Sequence, residues 1–193
     1  MMKIKWTGLL FILLCSSFSL ARGVSPAPFE ILTPTIGGSG CKAGSAFAFV
    51  AQADRLVRLK FGNLMAESGG TLGPLIRKNC DLVIPVQVNP GYSIALPNVE
   101  LNGSVEIMDD AKVSLNVGIF FSGQEGSSFK KEFLQTESFQ FLSQINESEW
   151  SACGQSVNLR VSISLLAKNT SRSAVSSLKL IDGLVQPLKW KRC

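Results

Sequence analysis

The chain has 193 residues, a formal net charge of +5, 46% hydrophobic residues and no histidine. Without an imidazole, no catalytic triad or dyad built on a histidine base can form, and no histidine-ligated metal site either. The basic residues are scattered, with only Arg77-Lys78, Lys130-Lys131 and Lys191-Arg192 adjacent; lacking a basic stripe interleaved with aromatics, the sequence points to no nucleic acid partner.

At the N-terminus, Lys3 and Lys5 precede an apolar stretch from Trp6 to Phe18, and Ser19-Leu20-Ala21 supplies the small residues of a cleavage site. Residues 1–21 are therefore predicted to be a signal peptide cut after Ala21. The stretch is too short to span a bilayer comfortably, and no transmembrane segment is expected after its removal. A lipoprotein signal at Cys15 is the rival reading, but Leu14 stands before it where a small residue is usual. Export places the mature chain, about 170 residues and one ordinary domain, outside the cell or in the periplasm.

Four of the five cysteines survive cleavage: Cys41, Cys80, Cys153 and Cys193. In an oxidising compartment an even number reads as two disulfides. Of the three pairings, Cys41 with Cys80 and Cys153 with Cys193 is favoured, since each closes a loop of similar size within its own half.

Residues 22–40, rich in proline, glycine and hydroxyl residues, read as an exposed N-terminal arm, and residues 41–193 as a single domain. There the pattern turns to period two. Phe47 and Phe49, then Val57, Leu59 and Phe61 with Arg58 and Lys60 between them, predict half-buried strands. The run Cys80, Leu82, Ile84, Val86, Val88 is a further strand, broken by Asn89-Pro90-Gly91. Tyr92, Ile94 and Leu96 begin another; Pro97 bends it, and Val99, Leu101, Val105 and Ile107 resume on shifted parity. "MDDAK", residues 108–112, turns the chain into Val113, Leu115, Val117, Ile119 and Phe121. More strands are expected over 129–133, 139–142, 159–165 and 178–184. Residues 130–147 carry a weak helical composition, but Phe139 and Phe141 alternate and the segment is read as strand or loop. The whole predicts an all-β fold, an antiparallel β-sandwich stabilised by two disulfides.

Several fragments form an ordered set: Gly40-Cys41-Lys42-Ala43-Gly44, Arg77-Lys78-Asn79-Cys80, Pro90-Gly91, Phe120-Phe121-Ser122-Gly123, Trp150-Ser151-Ala152-Cys153-Gly154 and Trp190-Lys191-Arg192-Cys193. Together they resemble the DUF4360 family of small exported proteins, whose members have no established activity. The resemblance covers nearly all of residues 37–193 and implies export, two disulfides and a β-rich domain; it transfers no catalytic residue. Asn102-Gly103 departs from it where an Arg-Gly step is expected.

Chemistry is sparse. Glu106, Asp109 and Asp110 are the obvious carboxylate cluster, but adjacent aspartates of a strand point to opposite sides, so a turn explains them better than a glycosidase pair. They lack the spacing of a calcium loop, and no metal or other cofactor is expected. Ser-x-x-Lys matches at Ser39, Ser127, Ser128 and Ser176 are chance matches in a serine-rich chain. "GGSGCKAGSAFAF", residues 37–49, is neither a phosphate loop nor a CxxC redox site; its glycines let an arm approach a sheet edge while Cys41 ties it to Cys80. Asn102, Asn146 and Asn169 each open an N-glycosylation pattern.

Aromatic side chains are the remaining candidate ligand contacts: Trp150, Trp190, Tyr92, Phe120 and Phe129. They could stack on a sugar or meet an envelope partner; tryptophans beside paired cysteines also serve as core plugs. The reading is a secreted or periplasmic, non-enzymatic binding or structural protein with a glycan or an envelope or extracellular partner. A carboxylate-dependent enzyme acting on polysaccharide and a secreted inhibitor or host-interaction protein are the alternatives.

Overall fold

The computed structural model of the chain describes residues 27–145 and 149–193. The predicted signal peptide, Cys15 and the Asn146 pattern lie outside the described residues.

Strands follow one another in the order β1 (Phe29–Ile31), β2 (Thr35–Gly37), β3 (Ala46–Ala51), β4 (Leu56–Gly69), β5 (Leu75–Val88), β6 (Tyr92–Ile94) and β7 (Val99–Glu106). Then come β8 (Lys112–Phe121), β9 (Ser127–Phe133), β10 (Glu137–Leu142), β11 (Val157–Lys168), β12 (Val175–Val185) and β13 (Trp190–Arg192). A six-stranded sheet runs β1-β5-β11-β8-β9, with β2 also on β5; a five-stranded sheet runs β10-β7-β12-β4-β3; β6 and β13 form a small ribbon. Every pairing is antiparallel. The chain is an antiparallel β-sandwich, and no described residue is helical.

Alternation explains the core. Leu82, Ile84 and Val86 of β5, Leu159, Val161 and Ile163 of β11, and Val117, Ile119 and Phe121 of β8 line one inner face, while Leu59 and Leu64, Leu101 and Val105, and Leu178 and Leu180 line the other. Both inner faces are close to fully buried, which supplies the hydrophobic driving force that holds the layers together.

Both disulfides are present, Cys41–Cys80 and Cys153–Cys193. The glycines before Cys41 do what the sequence asks of them. A Cβ on Gly38 would sit 2.4 Å from the Asn79 carbonyl oxygen, and one on Gly40 would sit 2.3 Å from Leu64 Cδ1.

Three expectations need revision, and β12 shows an irregularity besides. The arm over 22–40 contains β1 and β2, with Phe29 and Ile31 buried against the sheet, because its few apolar residues cap the open edge of β5. Phe47 and Phe49 alternate, yet they face outward, 58% and 47% exposed. The β3–β4 register sets Ala46, Ala48 and Val50 opposite Phe61, Leu59 and Val57, so the small residues of β3 occupy the inner face. On β12 the parity changes at a register shift between Leu180 and Asp182: Ile181 keeps the outward parity of Lys179, whereas beyond the shift Val185 comes inside. Finally, Asn169 is buried, its amide donating to Ala174 O at 3.2 Å and to Ser176 Oγ at 3.1 Å, so the folded chain offers no acceptor there.

Candidate functional site

The aromatic candidates separate into distinct places. β6 lies between two segments. On one side the Ile94 N–H donates to Ser151 Oγ and the Ser151 N–H to Ile94 O, at 3.1 and 2.8 Å. On the other, β13 pairs in the register Trp190↔Ile94, Lys191↔Ser93 and Arg192↔Tyr92. Cys153–Cys193 joins the two flanking segments, and Ser93 Oγ donates to Cys193 Sγ at 3.4 Å.

This register sorts the side chains by face. Tyr92, Trp190 and Arg192 share one face of the ribbon. Their rings meet edge to face, with Tyr92 and Trp190 centroids 5.6 Å apart and planes at 73°, and the Arg192 guanidinium lies 6.0 Å from the Tyr92 centroid. Trp190 remains 46% exposed. Trp150 pairs with Ala95 and takes the opposite face, where the Lys191 ammonium caps its ring at 4.1 Å. The two tryptophans therefore cannot sandwich one ligand: Trp190 is an open ledge and Trp150 is half-buried packing.

Phe129 belongs to the core rim, its ring meeting Phe141 at 6.4 Å, because its partner Val117 faces inward. Phe120 pairs with Arg160 on the outer face of the six-stranded sheet, half-buried beneath Gly126. Neither joins the ledge.

The carboxylates also divide. Asp109, held at a positive φ of 54°, and Asp110 form the β7–β8 turn, as the pattern requires. Both line a concavity of about 580 Å³ with Lys112, Lys130, Glu132 and Lys168. Glu106 is directed elsewhere, onto the outer face of the five-stranded sheet opposite Ser177. Sequence reasoning missed Glu132, which only the β8–β9 pairing brings to this groove. A hydrogen bond from Lys130, reinforced by its charge, holds the Glu132 carboxyl below the usual carboxylate range. It stays ionised at neutral pH and is ill suited to act as a general acid. Neither tryptophan lines the groove.

The sequence pattern of the domain of unknown function DUF4360 matches residues 27–193. The chain belongs to the DUF4360 family. That match spans both disulfides, the ribbon and the groove, so each feature described above lies within the DUF4360 domain. No curated protein matches the sequence. Among solved structures, TmCBM61 in complex with beta-1,4-galactotriose covers 83% of this DUF4360 chain and 88% of its own, at 10% identity and a TM-score of 0.29. The likeness is too slight to bear on function.

Proposed function

We propose that this DUF4360 protein is an exported, non-enzymatic binding protein that holds a glycan against the Tyr92–Trp190 ledge. Two disulfides support an oxidising location, which accords with the leader-like residues at the N-terminus. Among the described residues, no helix is long and apolar enough to cross a membrane.

The observation that carries the reading is the Trp190 ring, nearly half exposed yet fixed edge-on by Tyr92 on a ribbon clamped by Cys153–Cys193. An indole held this way offers an apolar face at little loss of side-chain freedom on binding, and Arg192 beside it supplies donors for hydroxyl groups. The enzymatic alternative has weaker support: the four cysteines among the described residues lie in disulfides, Glu106 stands apart from Asp109 and Asp110, and Glu132 is kept ionised.

The test is a fluorescence titration of the oxidised mature protein with a panel of soluble polysaccharides, in a Trp150→Phe background so that Trp190 reports. Saturable quenching of Trp190 is expected, and calorimetric titration of Trp190→Ala with the polysaccharide that quenches should show no binding. A panel without response, or binding that Trp190→Ala leaves intact, overturns the assignment.

A further inference from the structure

The two open seams of the sandwich are treated differently. At the β9–β10 seam, Phe133 and Phe139 lie 4.6 Å apart, the Lys131 ammonium sits over both rings, and Lys131 pairs with Glu137. Edge strands β9, β10 and β1 each carry charge, and β2 is only three residues long. These are the usual devices that keep a sheet edge from pairing with another chain. Strand β3 has none of them. It is the edge of the five-stranded sheet, its sequence is AFAFVA, and Phe47 and Phe49 project from it to solvent. Along it runs a concavity of about 460 Å³, walled by Leu32, Thr33 and Pro34 on one side and Phe49 and Val50 on the other.

We propose that the β3 edge pairs with the β3 edge of a second copy of this chain, joining two five-stranded sheets across a two-fold axis at Ala48. The hydrogen-bonding parity permits it. The Gly62 N–H donates to Ser45 O in the β3–β4 register, so odd-numbered residues of β3 turn their peptide groups to β4, and Ala46, Ala48 and Val50 turn theirs to the free edge. A two-fold at Ala48 sets those outward groups against each other: Ala48 against Ala48 of the second copy, and Ala46 against Val50.

Phe47 then falls opposite Phe49 of the second copy in the closely spaced, non-hydrogen-bonded pairs, and four phenylalanines form one patch on the outer face. Centring on Phe49 instead would set Phe47 against Ala51 and forfeit those pairs. Charge agrees with the antiparallel arrangement: it brings the turn that carries exposed Lys42 before β3 toward the turn that carries exposed Asp54 after β3 of the second copy, while Arg55 is turned onto the Phe29 ring. The contact is isologous and closes on itself, leaving no further β3 edge for a third copy.

The experiment is sedimentation velocity and light scattering on the oxidised mature protein over a dilution series, with amide hydrogen exchange read by NMR. A mass twice that of the monomer is expected at high concentration. The Ala46, Ala48 and Val50 amides should lose protection on dilution, while Phe47 and Phe49 stay protected by β4. Ala48→Pro removes an outward N–H without breaking a β4 bond, and Phe47→Lys with Phe49→Lys places like charges at the seam; each should give a monomer with its thermal transition retained. A wild type that stays monomeric at every soluble concentration overturns the proposal. So does a dimer that survives both variants, or protection confined to another edge.

Discussion

Trp150 and Trp190 stand on opposite faces of the β6–β13 ribbon, one capped by Lys191 at 4.1 Å and the other open beside Tyr92. Their substitutions should therefore separate. Trp190→Ala is expected to abolish calorimetric glycan binding and change stability by less than about 1 kcal/mol. Trp150→Ala, which empties a half-buried site, should lower stability by about 2 kcal/mol and leave ligand affinity within a few-fold. Urea unfolding of both variants, paired with titration, checks this.

The disulfides differ in exposure. Cys41 and Cys80 are buried, whereas Cys153 and Cys193 are exposed at the ribbon's end. Under graded reduction of the folded protein, Cys153–Cys193 should open first, as read by alkylation and mass mapping, with loss of ligand binding before loss of the global fold. Each bridge closes a separation of 39 or 40 residues, so removing either should cost about 4 kcal/mol by loop entropy.

Lys131 holds the β9–β10 seam, its ammonium 4.9 Å from the Phe133 centroid and 5.2 Å from that of Phe139. Lys131→Ala should destabilise the sandwich by about 1 kcal/mol and expose the seam to solvent. Lys131→Arg, which retains a stacked cation, should recover most of that. Chemical denaturation of the two variants distinguishes them.

Asp182 accepts from Asn102 Nδ2 at 2.9 Å and pairs with Lys60 at 3.0 Å. These contacts, the Asn102 bond first, hold its carboxyl below the ordinary aspartate value of about 4. A folded-state pKa that is depressed favours folding fully at pH above the unfolded value, and the contribution disappears as pH falls through the folded one. Wild type should therefore exceed Asp182→Ala in stability at pH 7, with the gap narrowing only below about pH 4. Thermal unfolding at stepped pH measures it.

Much was legible in the residues alone. Alternation in β5, β7, β8 and β11 announces strands buried on one face, since a period of two has no other compact use, and it led directly to a sandwich. The spacing of four cysteines in an exported-looking chain led to the two bridges now seen. Phe47 and Phe49 were misplaced because alternation says that two faces differ and not which one is inside; the register with Phe61, Leu59 and Val57 made that choice.

The candidate site was legible only as a set of residue types. Tyr92, Trp190, Trp150, Phe120 and Phe129 look alike in sequence, and tertiary pairing alone put two on an open ledge, one beneath a lysine, one under Gly126 and one at the core rim. Glu132 likewise reached the groove through β8–β9 pairing, not through proximity to Asp109 in the chain. Strand identity is a local property, set by neighbours two residues apart. The face a side chain ends on depends on which distant strand bonds to its own, and no local pattern carries that information.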